Sequence, residues 1–134
     1  MRSPPPDFLR CPPNEAVLAW LEGKSAHSDP AETLRRAAEG LPGFGDFTPA
    51  GASFAYYVVH RGPVIFGFVE GMQGATLRLP AARVAELEAR GARCAGHVGP
   101  DWVFLPLYVP GGFVGELPLL VREAHAFAAT LAPS

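Results

Sequence analysis

The sequence predicts an α+β domain, with an antiparallel sheet of four or five strands and helices packed mainly on one face. Three β-like runs follow one another at residues 53–59, 64–70 and 75–79, and a short break containing glycine separates each pair. Breaks of this length join antiparallel neighbours. A fourth β-like run lies at residues 102–109, and segments with helical periodicity precede and follow the four runs.

Length and composition describe a globular chain with little attraction for phosphate. The chain has 134 residues, the size of one domain, and 49% of them are hydrophobic against 18% charged. Because the net charge is −2, a nucleic-acid partner is disfavoured. The first residues lack the apolar run of a signal peptide, and no stretch approaches the length of a membrane span. We therefore expect a cytoplasmic protein with no membrane partner.

The N-terminal part is expected to be an arm followed by two short helices. Residues 1–13 contain five prolines and no apolar periodicity, so a Pro-rich flexible arm is expected there, ahead of a single α+β domain over residues 14–134. Asn14 is a favourable N-cap for a first helix. Asp29 and Pro30 have the N-cap and first-position preferences of a second helix.

The four β-like runs differ in their expected burial. Residues 53–59 are rich in the aromatic and β-branched side chains that strands prefer. Residues 64–70 are apolar almost throughout, which indicates a strand at the sheet centre or one covered on both faces. Residues 75–79 alternate polar and apolar side chains, as a half-buried strand does. Residues 102–109 are strongly apolar, and Pro106 within them indicates an edge strand or a bulge.

Two further helices are expected after the third and fourth strands. Pro80 opens the first of them and Gly91 closes it, and Val84 and Leu87 between them share an apolar stripe. The last helix begins at Pro118 and carries an apolar face.

A loop rich in glycine and proline carries the first candidate site. His97, Asp101 and Trp102 lie together in the stretch HVGPDW, and loops held by a rigid sheet are where sites concentrate. A histidine near a carboxylate is suited to acid–base catalysis. The alternative is that Asp101 caps a turn and His97 packs locally. Cys94 and His97 have the spacing of half a zinc site, but no second pair matches it, so no metal site and no cofactor are predicted.

Further polar candidates border the first two strands. His60 and Arg61 lie at the first turn, where they form either a solvated turn or a rim that contacts an anion. Glu70 ends the central strand, either among its apolar neighbours or at a solvent-exposed end. No catalytic residue is assigned, because the chain has no serine-nucleophile elbow, phosphate-binding loop or dinucleotide fingerprint. The candidates for ligand or interaction contacts are His60, Arg61, Glu70, His97, Asp101 and Trp102.

Four short motifs carry a family resemblance. They are LPG at residues 41–43, RGPVIF at 61–66, LRLP at 77–80 and HVGPDWV at 97–103. Their order resembles that of the MmcQ/YjbR-like family of small bacterial proteins, and it is also similar to a small bacterial domain labelled "luciferase". The first resemblance implies a frataxin-type fold with helices on one face of an antiparallel sheet, and DNA binding as a proposed activity. Neither resemblance implies an established enzyme activity or a catalytic residue.

The sequence supports three functional hypotheses. The leading one is a binding or interaction module without catalysis, with a protein partner or a second copy of the chain as alternatives. The second is a small-ligand binder or an enzyme that uses the loop of His97, Asp101 and Trp102. The third is weak nucleic-acid binding through arginines expected on exposed helix faces, which are Arg35, Arg36, Arg83 and Arg90.

Overall fold

In the computed structural model, residues 3–51 and 54–132 are described, and within these ranges one antiparallel sheet of six strands carries four α-helices. The strands are β1 (Phe44–Phe47), β2 (Tyr57–Arg61), β3 (Val64–Val69), β4 (Gly74–Arg78), β5 (Arg93–Cys94) and β6 (Trp102–Pro106). Their order across the sheet is β1-β2-β3-β4-β6-β5. The helices are α1 (Glu15–Leu21), α2 (Ser28–Ala38), α3 (Ala81–Glu88) and α4 (Leu117–Leu131). The predicted α+β class is confirmed.

The described part of the chain has six strands instead of the expected four or five, because the two outermost strands are too short to leave a pattern in the sequence. β1 has four residues, and Gly45 and Asp46 among them are poor strand formers. β5 has two residues and leaves no periodic pattern in the sequence. Residue 53, where the first predicted strand begins, lies outside the described residues, and β2 begins at Tyr57.

The central strand is covered on both faces, as its composition predicts. β3 lies third in the sheet, and all of its residues are buried. Val64 and Phe66 face the core that packs against α2, α3 and α4, whereas Ile65 and Phe68 face a second core on the opposite side. Side chains alternate between the faces from Val64 to Phe66, as in a regular strand, and the irregularity in the pairing of β2 with β3 beside Phe66 then places Phe68 on the second face.

The N-terminal segment covers the second face of the sheet. Leu9 is 0% exposed and packs in one cluster with Val17 and Leu21 of α1 and with Trp102 of β6. The described part of the predicted arm therefore contributes a side chain to a core, while its flexibility stays a prediction. Because α2, α3 and α4 pack on the other face, the prediction of helices mainly on one face is confirmed.

Proline marks the starts of α3 and α4 and the end of β6. Pro80 occupies the N-cap position of α3, and Pro118 lies in the first turn of α4. Pro106 pairs with Gly74 of β4, whereas β5 reaches only the earlier part of β6. The missing N–H of Pro106 therefore costs no hydrogen bond to β5, which explains how proline fits in a strand inside the sheet.

Asn14 occupies the predicted N-cap position of α1, but its side chain does not cap the helix. Its side chain forms no hydrogen bond to the first turn of the helix. Instead, Nδ2 donates to the carbonyl oxygens of Leu9 at 2.8 Å and Pro63 at 2.6 Å. Oδ1 accepts from the backbone N–H of Ile65 at 2.9 Å. Asn14 thus joins the N-terminal segment to the turn between β2 and β3.

The N-cap of the second helix lies two residues before the predicted Asp29. α2 begins at Ser28, and the residue in the N-cap position is His27. Its ring Nδ1 accepts a hydrogen bond from the backbone N–H of Asp29 at 3.1 Å. An imidazole nitrogen can accept in the same way as the side-chain oxygens that usually occupy this position, but sequence preferences do not favour it.

Candidate functional site

The structure separates the three residues of the predicted loop site. Asp101 Oδ2 accepts a hydrogen bond from Arg78 Nε at 2.7 Å. His97 is exposed, and its ring packs on Trp20 with 4.2 Å between ring centroids. Trp102 is 0% exposed in the second core. Within residues 3–51 and 54–132, no hydrogen bond joins His97 to Asp101, so the loop forms no acid–base pair between them.

Arg78 holds the Asp101 carboxylate in place. Besides its ion pair with Asp101, the guanidinium donates from Nη1 to the carbonyl oxygen of Pro13 at 2.6 Å. It also lies 5.2 Å from the ring centroid of Trp102, which is within range of a cation–π interaction. These contacts connect the end of β4, the N-terminal segment and the start of β6. The Asp101 carboxylate is therefore a structural partner of Arg78.

Two other candidates, Glu70 and His97, meet at one aromatic ring. Trp20 Nε1 donates to Glu70 Oε2 at 2.9 Å, and the same indole packs on His97. Lys24 Nζ lies 4.0 Å from the ring centroid of Trp20. We call Trp20, Lys24, Glu70 and His97 the Trp20 cluster. Sequence reasoning did not single out Trp20 as a site residue, because no local pattern relates it to Glu70 or His97, which lie at least 50 positions later.

The side chains of the Trp20 cluster contact one another but contain no acid–base dyad. The carboxylate of Glu70 and the imidazole of His97 both contact the indole, and no hydrogen bond joins them directly in the part of the chain that the structure describes. Acid–base catalysis needs a proton donor or acceptor within hydrogen-bond reach of its partner or substrate. The geometry here instead fixes the orientation of a half-buried tryptophan.

His60 lies in neither of its two predicted environments, because it is 8% exposed. Its ring Nδ1 is 2.9 Å from the carbonyl oxygen of Gly62, so Nδ1 carries the hydrogen and donates it. The ring lies against Gly45 of β1, where an added Cβ would come within 2.4 Å of His60 Cε1. Burial lowers the pKa of the His60 ring below its usual 6.5.

Arg61 is bound to α4. Its Nη1 donates to the carbonyl oxygen of His125 at 3.1 Å and lies 3.3 Å from the Nδ1 atom of the same residue. His125 Nε2 is 2.6 Å from the carbonyl oxygen of Pro42. Because a carbonyl only accepts, Nε2 carries the hydrogen and Nδ1 accepts from Arg61. Arg61 therefore ties the turn between β2 and β3 to the last helix.

The arginines considered for nucleic-acid binding are all paired with carboxylates. Arg35 pairs with Glu32 and Glu39, Arg36 with Glu32, Arg83 with Glu86 and Glu123, and Arg90 with Glu116. The hydrogen bond from Arg35 lowers the pKa of Glu32 to about 2, so this carboxylate stays ionised near neutral pH. The four arginines therefore present alternating charge and no continuous cationic strip.

The exposed large apolar side chains are concentrated after β6. Of the seven such residues in the described ranges, four lie between Tyr108 and Leu119, and each of the four is 47% to 51% exposed. We call them the 108–119 surface, and they are Tyr108, Val109, Val114 and Leu119.

A groove of about 320 Å³ opens beside the 108–119 surface. Its lining residues are Thr33, Arg36, Ala37, Val114, Leu117 and Pro118. An adjoining groove of about 370 Å³ contains Tyr108 and shares Thr33 and Arg36 with the first. The two grooves therefore place α2 next to Tyr108 and Val114.

Hydrogen bonds and tight packing hold this loop in place. Thr33 Oγ1 and the Tyr108 hydroxyl are 2.8 Å apart, and the N–H of Phe113 donates to the Pro106 carbonyl at 2.9 Å. A Cβ at Gly112 would come within 2.5 Å of the Leu107 carbonyl oxygen, so the turn requires glycine there. Tyr108, Val109 and Val114 are thus carried on an ordered loop and Leu119 on α4, and the sequence alone did not reveal their exposure.

Two classes of site find no support in the described ranges. No helix there combines the length and apolar character needed to cross a lipid bilayer. No group of three or more potential metal-ligating side chains comes together in these ranges.

Comparisons of the chain with protein-family models, with curated proteins and with solved structures found no match. The resemblance to the MmcQ/YjbR-like family and to the luciferase-labelled domain stays a prediction.

Proposed function

We propose that the protein is an interaction module that binds another protein chain through the 108–119 surface and has no catalytic activity. The observation that carries the proposal is that four half-exposed apolar side chains lie within residues 108–119, and that two of them, Tyr108 and Val114, line grooves beside α2. Single exposed apolar residues are normal on protein surfaces, whereas exposed apolar side chains that line grooves are typical of an interaction site.

The placement of the polar candidates supports binding over catalysis. Asp101 is paired with Arg78, and Arg61 is bound to the last helix. His60 and Trp102 are buried. A catalytic group must be able to reach a substrate, and these side chains are used to hold elements of the fold together.

Nucleic-acid binding finds less support than protein binding. The net charge is −2, and the arginines on α2 and α3 are paired with carboxylates. Binding to a phosphate backbone gains most of its free energy from cations that are available to neutralise phosphates.

Site-specific photo-crosslinking tests the proposed function. A photoreactive phenylalanine analogue is placed at Val114, and a matched control carries it at Ala16, which is exposed on α1 over the opposite face of the sheet. Irradiation in the cells that produce the protein should give discrete protein adducts from position 114 and none from position 16. The proposal is wrong if position 114 gives no protein adduct, or if both positions give the same ones.

A further inference from the structure

We infer that a cavity between the N-terminal segment and α1 binds a small ligand that has an apolar body, one anionic group and one cationic group. Hydrophobic amino acids and their short peptides have this chemistry. The inference goes beyond the proposed function, since the cavity borders the second core and shares no residue with the 108–119 surface. The size of the cavity, its apolar walls and its two charges carry the inference.

Three separate parts of the chain enclose the cavity, whose volume is about 430 Å³. They are residues 3–10 of the N-terminal segment, the end of α1 with the two residues after it, and the segment before β2, which contributes Pro49 and Tyr56. Pockets for small ligands have volumes of about 300–1,000 Å³. The cavity is therefore large enough to hold a small organic molecule.

The wall formed by the N-terminal segment is fixed at both ends. The backbone N–H of Ser3 donates to the carbonyl oxygen of Ala50 at 2.8 Å, and the N–H of Ala50 donates to Ser3 Oγ at 2.7 Å. Leu9, near the other end of this wall, is 0% exposed in the second core. Pro4 and Pro5 between these anchors have a fixed backbone angle and no N–H to satisfy. The wall can therefore keep its shape over the cavity.

Much of the cavity lining is apolar. The apolar side chains that line it are Pro4, Pro5, Leu18, Pro49 and Tyr56. Because proline has no backbone N–H, the three prolines add apolar surface to the cavity without adding a main-chain donor. An aliphatic or aromatic ligand body can be removed from water against these side chains, which favours binding.

Two side chains of opposite charge line the same cavity. Arg10 lies in the N-terminal segment, and Glu22 follows the last residue of α1. Arg10 Nε is 3.9 Å from Asp7 Oδ1, and the Asp7 side chain is fully exposed, so this ion pair is weak and leaves the guanidinium able to bind a ligand. Among the residues that the structure describes, none forms an ion pair with Glu22.

These two charges favour a ligand that carries both signs. A ligand carboxylate can accept two hydrogen bonds from the planar guanidinium of Arg10, and an ammonium group can donate to the carboxylate of Glu22. A ligand with a single charge would leave one of the two side chains without a partner of opposite sign. A hydrophobic amino acid or short peptide matches the apolar walls and both charges.

NMR titration of the full chain with L-phenylalanine tests the inference, with the methyl resonances of Leu18 as the readout. For a ligand of this size we expect a dissociation constant of about 0.1–5 mM. Ala19→Phe should abolish binding, because Ala19 lines the cavity and the larger side chain would fill it. Ala16→Phe is the matched control, since Ala16 is exposed on the same helix and does not line the cavity. The dipeptide phenylalanylglycine, titrated in parallel, distinguishes a peptide from a free amino acid as the preferred source of this chemistry.

Two probes with the same aromatic ring test the role of the charges. Hydrocinnamate lacks the ammonium group and phenethylamine lacks the carboxylate, so the natural chain should bind each at least about threefold more weakly than L-phenylalanine. Arg10→Gln should remove the preference for L-phenylalanine over phenethylamine, and Glu22→Gln should remove the preference over hydrocinnamate. Arg122→Gln and Glu88→Gln are the matched controls, because both side chains are exposed and neither lines the cavity.

The outcomes separate this inference from the proposed function. Failure of all four probes to shift the Leu18 resonances at about 20 mM overturns the inference, as does equal binding by Ala19→Phe and Ala16→Phe. Equal affinity of the natural chain for the three phenyl probes that differ in charge overturns the ligand class. Circular dichroism checks the folding of each variant, and the variants of exposed Arg10 and Glu22 keep the test decisive if Ala19→Phe does not fold. Val114→Lys should bind L-phenylalanine as the natural chain does, so either proposal can fail without the other.

Discussion

Replacing Asn14 with alanine should lower the free energy of unfolding by about 3–5 kcal/mol. The side chain is 0% exposed, and its amide forms three hydrogen bonds to backbone atoms of Leu9, Pro63 and Ile65 at 2.6–2.9 Å. Each such bond contributes about 1 kcal/mol net, and a buried N–H that loses its acceptor costs about 1–3 kcal/mol more. Ile65 is 0% exposed, so water has little access to replace the lost acceptor.

Urea unfolding followed by circular dichroism measures this loss. Glu15→Ala is the matched control, because Glu15 is the exposed neighbour on α1, and it should change stability by less than about 0.5 kcal/mol. Asn14→Asp keeps an acceptor for the Ile65 N–H but sets a carboxylate against two carbonyl oxygens. It should be at least as destabilising as Asn14→Ala at neutral pH. A loss below about 1 kcal/mol for Asn14→Ala would refute the role given to this amide.

Three further predictions concern stability. Stability should fall as the pH drops below about 6.5, because burial lowers the pKa of His60 and the unfolded chain then binds a proton that the folded chain excludes. His60→Phe should reduce this loss, measured as the difference in unfolding free energy between about pH 7.5 and pH 5.5. Gly45→Ala should cost about 1–3 kcal/mol in urea unfolding, because the added carbon would overlap the His60 ring. Asp101→Asn should cost about 1–3 kcal/mol, because it leaves the mostly buried Arg78 guanidinium without its charge partner.

Matched variants control these three measurements. Gln73→Ala changes an exposed side chain that cannot ionise and should leave the pH dependence as in the natural chain. Gly96→Ala tests added bulk where a new Cβ would meet no atom within 4 Å, and it should be nearly neutral. Asp29→Asn changes a carboxylate whose side chain is 77% exposed, with a small expected effect. Equal effects of a variant and its control would contradict the corresponding prediction.

Patterns among neighbouring residues were sufficient to predict the main elements of the fold. The run at residues 64–70 is apolar on both sides, and it became the central strand β3. Pro80 and Pro118 marked two helix starts, because the fixed backbone angle of proline suits the first turn of a helix. These signals depend on residues that are close together in the chain, so they can be read from the sequence alone.

Pairings between distant residues were not predictable in the same way. Asn14 has the preference of an N-cap, but partners about fifty residues later in the chain compete for its amide. His60 looks like a turn residue until Gly45 on the neighbouring strand makes room for its ring. Trp20 and Glu70 likewise meet only because α1 packs over the second face of the sheet. In each case a tertiary contact decides the role of the side chain, and local propensity does not report it.

The bridge made by Asn14 also sets an order of events during synthesis. The N-terminal segment is made first, but Pro63 and Ile65, which its amide binds, lie 49 and 51 residues later. At about 5–20 residues per second, the ribosome adds them several seconds after Asn14. Until then Leu9, Val17 and Leu21 have no sheet to cover, and the prolines before Asn14 disfavour any competing helix or strand in that interval. The N-terminal segment therefore cannot dock through Asn14 until the turn between β2 and β3 has been made.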